Sequence, residues 1–135
     1  MINKRKDVHG LAPADWIESL SNEVIRDDDV GMREFTGHAE RRDFAFDDVE
    51  QEEILRSCIR STIAKGGIPF ELRFDGPRIT YVARHDLGST PQEIEDAVIV
   101  WWSEDRSRSY EEDDIRFCTP DMIGSVFNHD TNSWE

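Results

Sequence analysis

Histidine and carboxylate side chains are the groups of this sequence that could bind a metal or transfer protons. The four histidines are far apart, and three of them have a carboxylate within two residues: His38 with Glu40, His85 with Asp86, and His129 with Asp130. Because 30 of the 135 residues are acidic, such neighbours are expected by chance. The spacing matches no metal-ligand pattern, and we predict neither a metal nor a cofactor.

Other catalytic patterns each lack an essential part. His38 and Glu40 resemble the histidine and glutamate of zinc deaminases, but those enzymes also need two cysteines two residues apart, and Cys118 stands alone. Cys58 falls on the apolar side of a predicted helix, where burial disfavours the reactive thiolate. The sequence has no Gly-x-Ser-x-Gly elbow and no glycine-rich phosphate loop. We interpret both cysteines as free buried thiols and favour a protein without enzymatic activity.

The charge of the chain excludes one class of partner and favours another. A formal net charge of −14 works against direct contact with nucleic-acid phosphate, which needs lysine and arginine. The same charge would attract a basic protein. An acidic run follows a tyrosine, and the candidate contact residues are Tyr110, Glu111, Glu112, Asp113 and Asp114, with Trp102 as an aromatic anchor.

Lysine is scarce in this sequence, and this gives the acidity a second interpretation. Three lysines stand against thirteen arginines, and sixteen of the acidic residues are aspartate. Hydrated carboxylates and few lysines suit a proteome that functions in high salt. The acidity could therefore report habitat rather than a partner.

Four helices are predicted from apolar spacing and from capping residues, at 13–26, 48–65, 91–104 and 120–127. The second has the clearest stripe and ends at Gly66-Gly67. Thr90-Pro91-Gln92-Glu93 is a capping box, which favours a helix through 97–102, although the β-branched and aromatic residues there also fit a strand. Trp101 and Trp102 are adjacent, so one would be buried and the other partly exposed.

Strands are predicted at 68–74, 79–84 and 114–118, with a possible edge strand near 30–36. Ile68, Phe70, Leu72 and Phe74 alternate with polar residues, as in a strand whose apolar face packs against helices. The turn Asp75-Gly76-Pro77-Arg78 joins the first two strands in a hairpin.

These elements predict an α+β fold in two layers, with helices packed on a small, mainly antiparallel sheet that contains the hairpin 68–74/79–84. We expect a flexible tail at 1–10, a single domain at 11–130 and a frayed end at 131–135. No apolar run approaches the length of a membrane span, and residues 1–15 lack the apolar core of a signal peptide. We therefore expect a cytoplasmic protein with no membrane partner.

Three hypotheses about function follow. The first is a small acidic binding protein, such as an immunity or inhibitor protein that covers the basic, nucleic-acid-binding surface of a partner. The second is a protein of a salt-adapted organism or a mobile element, whose acidity is unrelated to its function. The third is a small hydrolase-type enzyme that uses His85, Asp86 or Glu93 near the hairpin end and the following helix start.

Overall fold

The computed structural model describes residues 5–26, 28–111 and 113–135. Within these ranges, four α-helices pack on a six-stranded antiparallel sheet, which confirms the predicted α+β class. The helices are α1 (Pro13–Ile25), α2 (Met32–Ala39), α3 (Asp48–Ala64) and α4 (Pro91–Glu104). The strands are β1 (Val30–Gly31), β2 (Ile68–Asp75), β3 (Arg78–Ala83), β4 (Arg116–Cys118), β5 (Val126–Asn128) and β6 (Ser133–Trp134). Residues 1–4 of the predicted tail lie outside the described ranges.

Reciprocal capping bonds start the two longest helices where the sequence predicts. At α3, the Asp47 side chain accepts a hydrogen bond from the Glu50 amide (2.8 Å), and the Glu50 carboxylate accepts one from the Asp47 amide (3.1 Å). Thr90 and Glu93 make the same pair of bonds at the start of α4. Residues 97–102 lie within α4, so the helical interpretation is confirmed over the strand alternative.

The sheet has the strand order β1-β4-β2-β3-β5-β6, and every ladder in it is antiparallel. Phe117 of β4 lies opposite both Val30 and Pro69. Its ring contacts Phe35 of α2, with 6.2 Å between the ring centroids, and it belongs to the main apolar core. The helices therefore cover the sheet face that carries Phe117 and Pro69.

The alternating apolar residues of β2 lie on the other face of the sheet, because successive side chains of a strand point in opposite directions. The prediction that they pack against the helices is therefore wrong. Phe70 is nevertheless fully buried, and it stacks on Tyr81 of β3 with 4.7 Å between the ring centroids. An apolar row crosses four strands on this face, formed by Phe74, Ile79, Phe127 and Trp134.

The structure corrects the sequence prediction in two segments. After β1, residues 32–39 form α2 rather than a longer edge strand. Its buried residues Met32, Phe35, Thr36 and Ala39 follow the i, i+3, i+4, i+7 spacing of one helix face. The predicted helix at 120–127 is wrong. That segment is a 3₁₀ turn at Pro120–Met122 followed by β5, because Gly124 takes a left-handed φ of 87° that a helix does not allow.

The last residues of the chain add a sixth strand. Residues 133–134, in the segment expected to fray, pair with β5 as β6. Across the described ranges, no helix has the length and apolar character needed to cross a bilayer.

Candidate functional site

An open cleft of about 660 Å³ lies beside β2, between the start of α2 and the loop that leads into β4. We call it the acidic cleft. The described residues that line it come from three segments: Asp29, Arg33 and Glu34; Glu71, Leu72 and Phe74; and Tyr110, Glu111, Asp113, Asp114 and Arg116. Six of these side chains are carboxylates and two are arginines, so the lining carries an excess of negative charge.

Arg116 forms the centre of the acidic cleft. Its guanidinium donates to Asp29 Oδ1 from Nε (2.8 Å), to Glu34 Oε1 from Nη2 (2.8 Å) and to Asp114 Oδ2 from Nη1 (2.9 Å). Burial alone would lower the pKa of Arg116, but the hydrogen bonds and the charges of Glu34 and Asp29 raise it. One positive charge is therefore shared by three carboxylates, and Arg116 with these three residues has a net charge of about −2.

Asp29 is held in place from the sheet. The Tyr81 hydroxyl donates to Asp29 Oδ2 over 2.8 Å, while the Tyr81 ring stacks on buried Phe70. Burial raises the pKa of Tyr81, and the hydrogen bond to Asp29 raises it further. The hydroxyl therefore stays protonated and keeps donating to the carboxylate at any ordinary pH.

Asp114 is the least solvated carboxylate of the acidic cleft. Its side chain is 7 % exposed, and its Oδ1 atom has no hydrogen-bond partner among the described residues. Burial raises the pKa of Asp114 to about 6, against the opposing charge of Arg116. A Cβ atom at Gly31 would lie 2.7 Å from Asp114 Oδ2 and 2.9 Å from Arg116 Nη1. Glycine at position 31 therefore makes room for the ion pair.

The raised pKa of Asp114 predicts how its replacement will change stability with pH. Folded Asp114 keeps its proton up to about pH 6, whereas an unfolded aspartate loses it near 3.8. Its stabilising contribution is thus complete below pH ~4 and is lost as pH rises through 6. We expect Asp114→Asn to gain up to about 3 kcal/mol of unfolding free energy over wild type between pH ~4 and ~7. Urea unfolding at several pH values measures this, and a constant difference would contradict it.

The remaining carboxylates of the acidic cleft have arginine partners at the surface. Glu111 Oε1 lies 3.8 Å from Arg33 Nη2, and both side chains are more than half exposed. Glu71 lies 3.0 Å from Arg73 on the same strand. Exposed ion pairs such as these two are worth at most about 1 kcal/mol. Asp113 pairs with Arg108, whose side chain is only 14 % exposed. A partner's arginines could therefore replace the pairings of Glu111 and Glu71 at little cost.

The structure brings most of the predicted contact residues together. Tyr110, Glu111, Asp113 and Asp114 line the acidic cleft, and Glu112 lies outside the described residues. The loop is fixed to α4, because the Arg108 guanidinium lies 4.1 Å above the Trp101 ring and donates to the Trp101 carbonyl (2.9 Å). Tyr110 contacts the same ring.

Trp102 is not available as an aromatic anchor, which corrects the sequence prediction. It is 3 % exposed, belongs to the main core, and has the Arg106 guanidinium 4.1 Å above its ring. The side chains of adjacent residues in a helix point about 100° apart, and in α4 it is Trp102 that points into the core. Trp101 is the half-buried member of the pair.

Sequence reasoning missed the other half of the acidic cleft, which consists of Asp29, Glu34, Arg116 and the end of β2. These residues are far apart in the chain, and only the fold brings them together. The acidic stretch before β1 is a weak signal in the sequence, because such a stretch also fits the end of the preceding helix. Arg116 within a short apolar strand was a second signal, because a charged residue there requires a partner.

Two of the three residues of the hydrolase hypothesis are engaged in hydrogen bonds of the fold. Asp86 is paired with Arg84, whose hydrogen bonds lower the pKa of that carboxyl. Glu93 caps α4, and hydrogen bonds from Thr90 and then Ser89 lower its pKa. His85 is exposed in a 3₁₀ turn. Across residues 5–26, 28–111 and 113–135, no group of three histidine, cysteine or acidic side chains is placed to hold a metal ion.

Both cysteines are free and buried, as the sequence predicts. Burial raises the pKa of Cys58 and of Cys118 to about 12, so neither thiol forms a thiolate near neutral pH. We expect native protein to react with a thiol reagent such as DTNB at least about a hundredfold more slowly than urea-unfolded protein. Absorbance at the reagent's product band follows the reaction, and a thiol that reacts at once in native protein would contradict this assignment.

No protein-family model, curated protein or solved structure shows significant similarity to this chain. The charge and geometry of the acidic cleft are therefore the basis on which a function is argued.

Proposed function

We propose that this chain is a non-enzymatic binding protein of the immunity or inhibitor type, which covers a basic, nucleic-acid-binding surface of a protein partner. The acidic cleft is its principal contact site. The observation that carries the proposal is the shared arginine. Among the described residues, Arg116 is the one arginine that pairs with Asp29, Glu34 and Asp114, and the uncompensated charge is partly buried.

A surplus of buried carboxylates is unfavourable for folding, because like charges repel and each is partly desolvated. A guanidinium from a partner would supply the missing positive charge. It would also offer several donors in one plane, which suits the accessible carboxylates of the cleft, such as Glu34 and Asp113. A bound arginine would therefore lower the electrostatic free energy of the acidic cleft.

Apolar contact area lies next to these charges. Phe74 is 63 % exposed and lines the acidic cleft together with Leu72 and Tyr110. Binding energy at protein interfaces concentrates in aromatic residues beside desolvated polar groups. Phe74 and Tyr110 can pack on the aliphatic part of an arginine, while the carboxylates pair with its head group.

Carboxylates that occupy the places of phosphates would compete with nucleic acid for the same basic surface. The net charge of −14 supports this mode of action, because it accelerates the approach of a basic partner at low salt. It also opposes self-association and contact with other acidic surfaces. Affinity for the partner should fall as salt screens these charges.

Affinity capture from a native lysate tests the proposal, with three tagged forms of the chain as bait at about 0.05 M and about 0.5 M KCl. The forms are wild type, the cleft variant Glu34→Gln/Asp113→Asn, and the control Glu53→Gln/Asp121→Asn, which removes the same charge from exposed positions outside the acidic cleft. We expect a basic nucleic-acid-binding protein with wild type and control at low salt only, and a clear loss with the cleft variant. Equal capture by all three forms, or capture of no basic protein, would overturn the proposal.

A further inference from the structure

Half of β2 has a neighbouring strand on one side only. β4 pairs with β2 at Ile68 to Phe70, whereas β3 pairs with it from Phe70 to Asp75. The residues that precede β4 do not pair with β2. Instead, the Ile115 carbonyl accepts a hydrogen bond from the Met32 amide at the start of α2. Residues 71–75 therefore present a free strand edge within the described part of the chain, and this edge borders the acidic cleft.

The register of the hairpin determines which backbone groups face the acidic cleft. The Arg84 amide donates to the Pro69 carbonyl (2.9 Å), so that carbonyl faces the β3 side of β2. Backbone polar groups alternate along a strand, so those of residues 71, 73 and 75 also face β3. The N–H and C=O groups of Leu72 and Phe74 therefore face the other side, and both residues line the acidic cleft.

We propose that the acidic cleft takes an extended, arginine-containing segment of the partner, which adds to the sheet as a strand on the free edge of β2. This inference rests on the proposed function and specifies the form in which the basic partner binds. Backbone hydrogen bonds to Leu72 and Phe74 give the segment its register. Side chains on the face of Leu72 and Phe74 then reach Asp29, Glu34 and Asp114, because Arg116, which holds those carboxylates, lies on the same face as Phe70.

Charge selects a basic strand over a second copy of this chain. A free edge can pair with any strand, and proteins restrict such pairing with charged side chains. Glu71, Glu111 and Asp113 surround this edge, and a second acidic chain would add carboxylates to those already present. An arginine-rich segment instead reduces the surplus charge, so the edge favours it.

Short blocked peptides of alternating arginine and valine test the inference. Three forms of the hexapeptide acetyl-(Arg-Val)₃-amide are compared by isothermal titration: unmodified, N-methylated at every arginine, and N-methylated at every valine. All three carry the same charge, but each methylated form lacks the amide donors along one edge of the extended chain. We expect one methylated form to bind at least about tenfold more weakly than the other. If the two methylated peptides bind with equal affinity, strand addition is overturned. This holds whether both bind as tightly as the unmodified peptide or neither binds.

The proposed function is judged separately by the same titrations. If the peptides bind with equal affinity and their binding weakens with salt, the acidic cleft still binds basic groups and only the strand geometry is wrong. If no peptide binds in about 0.05 M KCl, both proposals are overturned.

Variants of the chain give an independent readout. Leu72→Pro removes the amide that faces the acidic cleft, and proline is tolerated at edge positions whose N–H points outward. Leu72→Val keeps that amide and serves as the control. We expect the unmodified peptide to bind Leu72→Pro at least about fivefold more weakly than Leu72→Val. In NMR spectra of wild type, hydrogen exchange at the Leu72 and Phe74 amides should slow when peptide is added, and unchanged exchange at both would contradict the inference even if Leu72→Pro fails to fold.

Discussion

We expect Arg116→Met to lower the free energy of unfolding by about 3–5 kcal/mol at neutral pH. The substitution keeps the aliphatic part of the side chain but removes the only guanidinium that Asp29 and Asp114 contact among the described residues. Their side chains are 17 % and 7 % exposed, so neither charge can be fully hydrated. Removing one member of a buried ionic group leaves the others uncompensated, and this costs more than the group contributes. Urea unfolding followed by tryptophan fluorescence measures the change.

Two further variants show whether charge is the cause. Arg73→Met removes an arginine whose side chain is 63 % exposed and which pairs with Glu71, and we expect a change of less than about 1 kcal/mol. Adding Asp114→Asn to Arg116→Met should recover part of the lost stability, because one of the unpaired carboxylates is then neutral. Similar losses for Arg73→Met and Arg116→Met would contradict this account of the ion-pair group.

We expect Phe70→Ala to lower the free energy of unfolding by about 3–5 kcal/mol and also to weaken binding of basic peptides. Phe70 is fully buried on the sheet face opposite the helices, and it is the stacking partner of Tyr81. Its loss leaves a cavity and frees the Tyr81 ring, whose hydroxyl orients Asp29. Stability and peptide binding should therefore fall together.

Phe74→Ala is the matched control for Phe70→Ala. It removes the same ring four residues further along the same face, where the side chain is 63 % exposed. We expect a stability change of less than about 1 kcal/mol, with weaker peptide binding from lost contact area alone. A Phe70→Ala protein of nearly wild-type stability would show that the packing of Phe70 on Tyr81 is unimportant for the fold.

Local signals in the sequence were sufficient for the elements that depend on local chemistry. The capping boxes at Asp47 and Thr90 and the stripe of α3 predict their helices because the stabilising contacts lie within three or four residues. The turn at Gly76-Pro77 fixes the hairpin for the same reason. These elements are found in the structure close to their predicted bounds.

Elements that depend on distant contacts could not be predicted in this way. β5 is three residues long and exists because β3 pairs with it, so the local pattern that predicts a helix at 120–127 is misleading. α2 has only eight residues with glycine before and within it, and its stability comes from packing against α3 rather than from its own propensity. The choice of Trp102 over Trp101 as the core residue likewise depends on how α4 lies on α3.

The candidate site was predicted in part, because some of its residues are neighbours in sequence and the others meet only through the fold. The acidic run before β4 was visible as a local excess of charge, and the cleft residues Tyr110, Glu111, Asp113 and Asp114 belong to it or adjoin it. The shared pairing of Arg116 with Asp29 and Glu34 spans more than eighty residues of sequence. No local pattern records such a contact, and only the completed sheet brings these groups together.

If the proposed function is correct, basic groups bind in the acidic cleft and are not held by the net charge alone. Isothermal titration of a nona-arginine peptide into wild type, Glu34→Gln/Asp113→Asn and Glu53→Gln/Asp121→Asn at about 0.05 M KCl tests it, since both variants have the same net charge. We expect the cleft variant to bind about tenfold more weakly than wild type and the control to stay within about twofold. Equal weakening in both variants would show that binding follows overall charge. That result would contradict the acidic cleft as a binding site and would favour the hypothesis that the acidity is a salt adaptation.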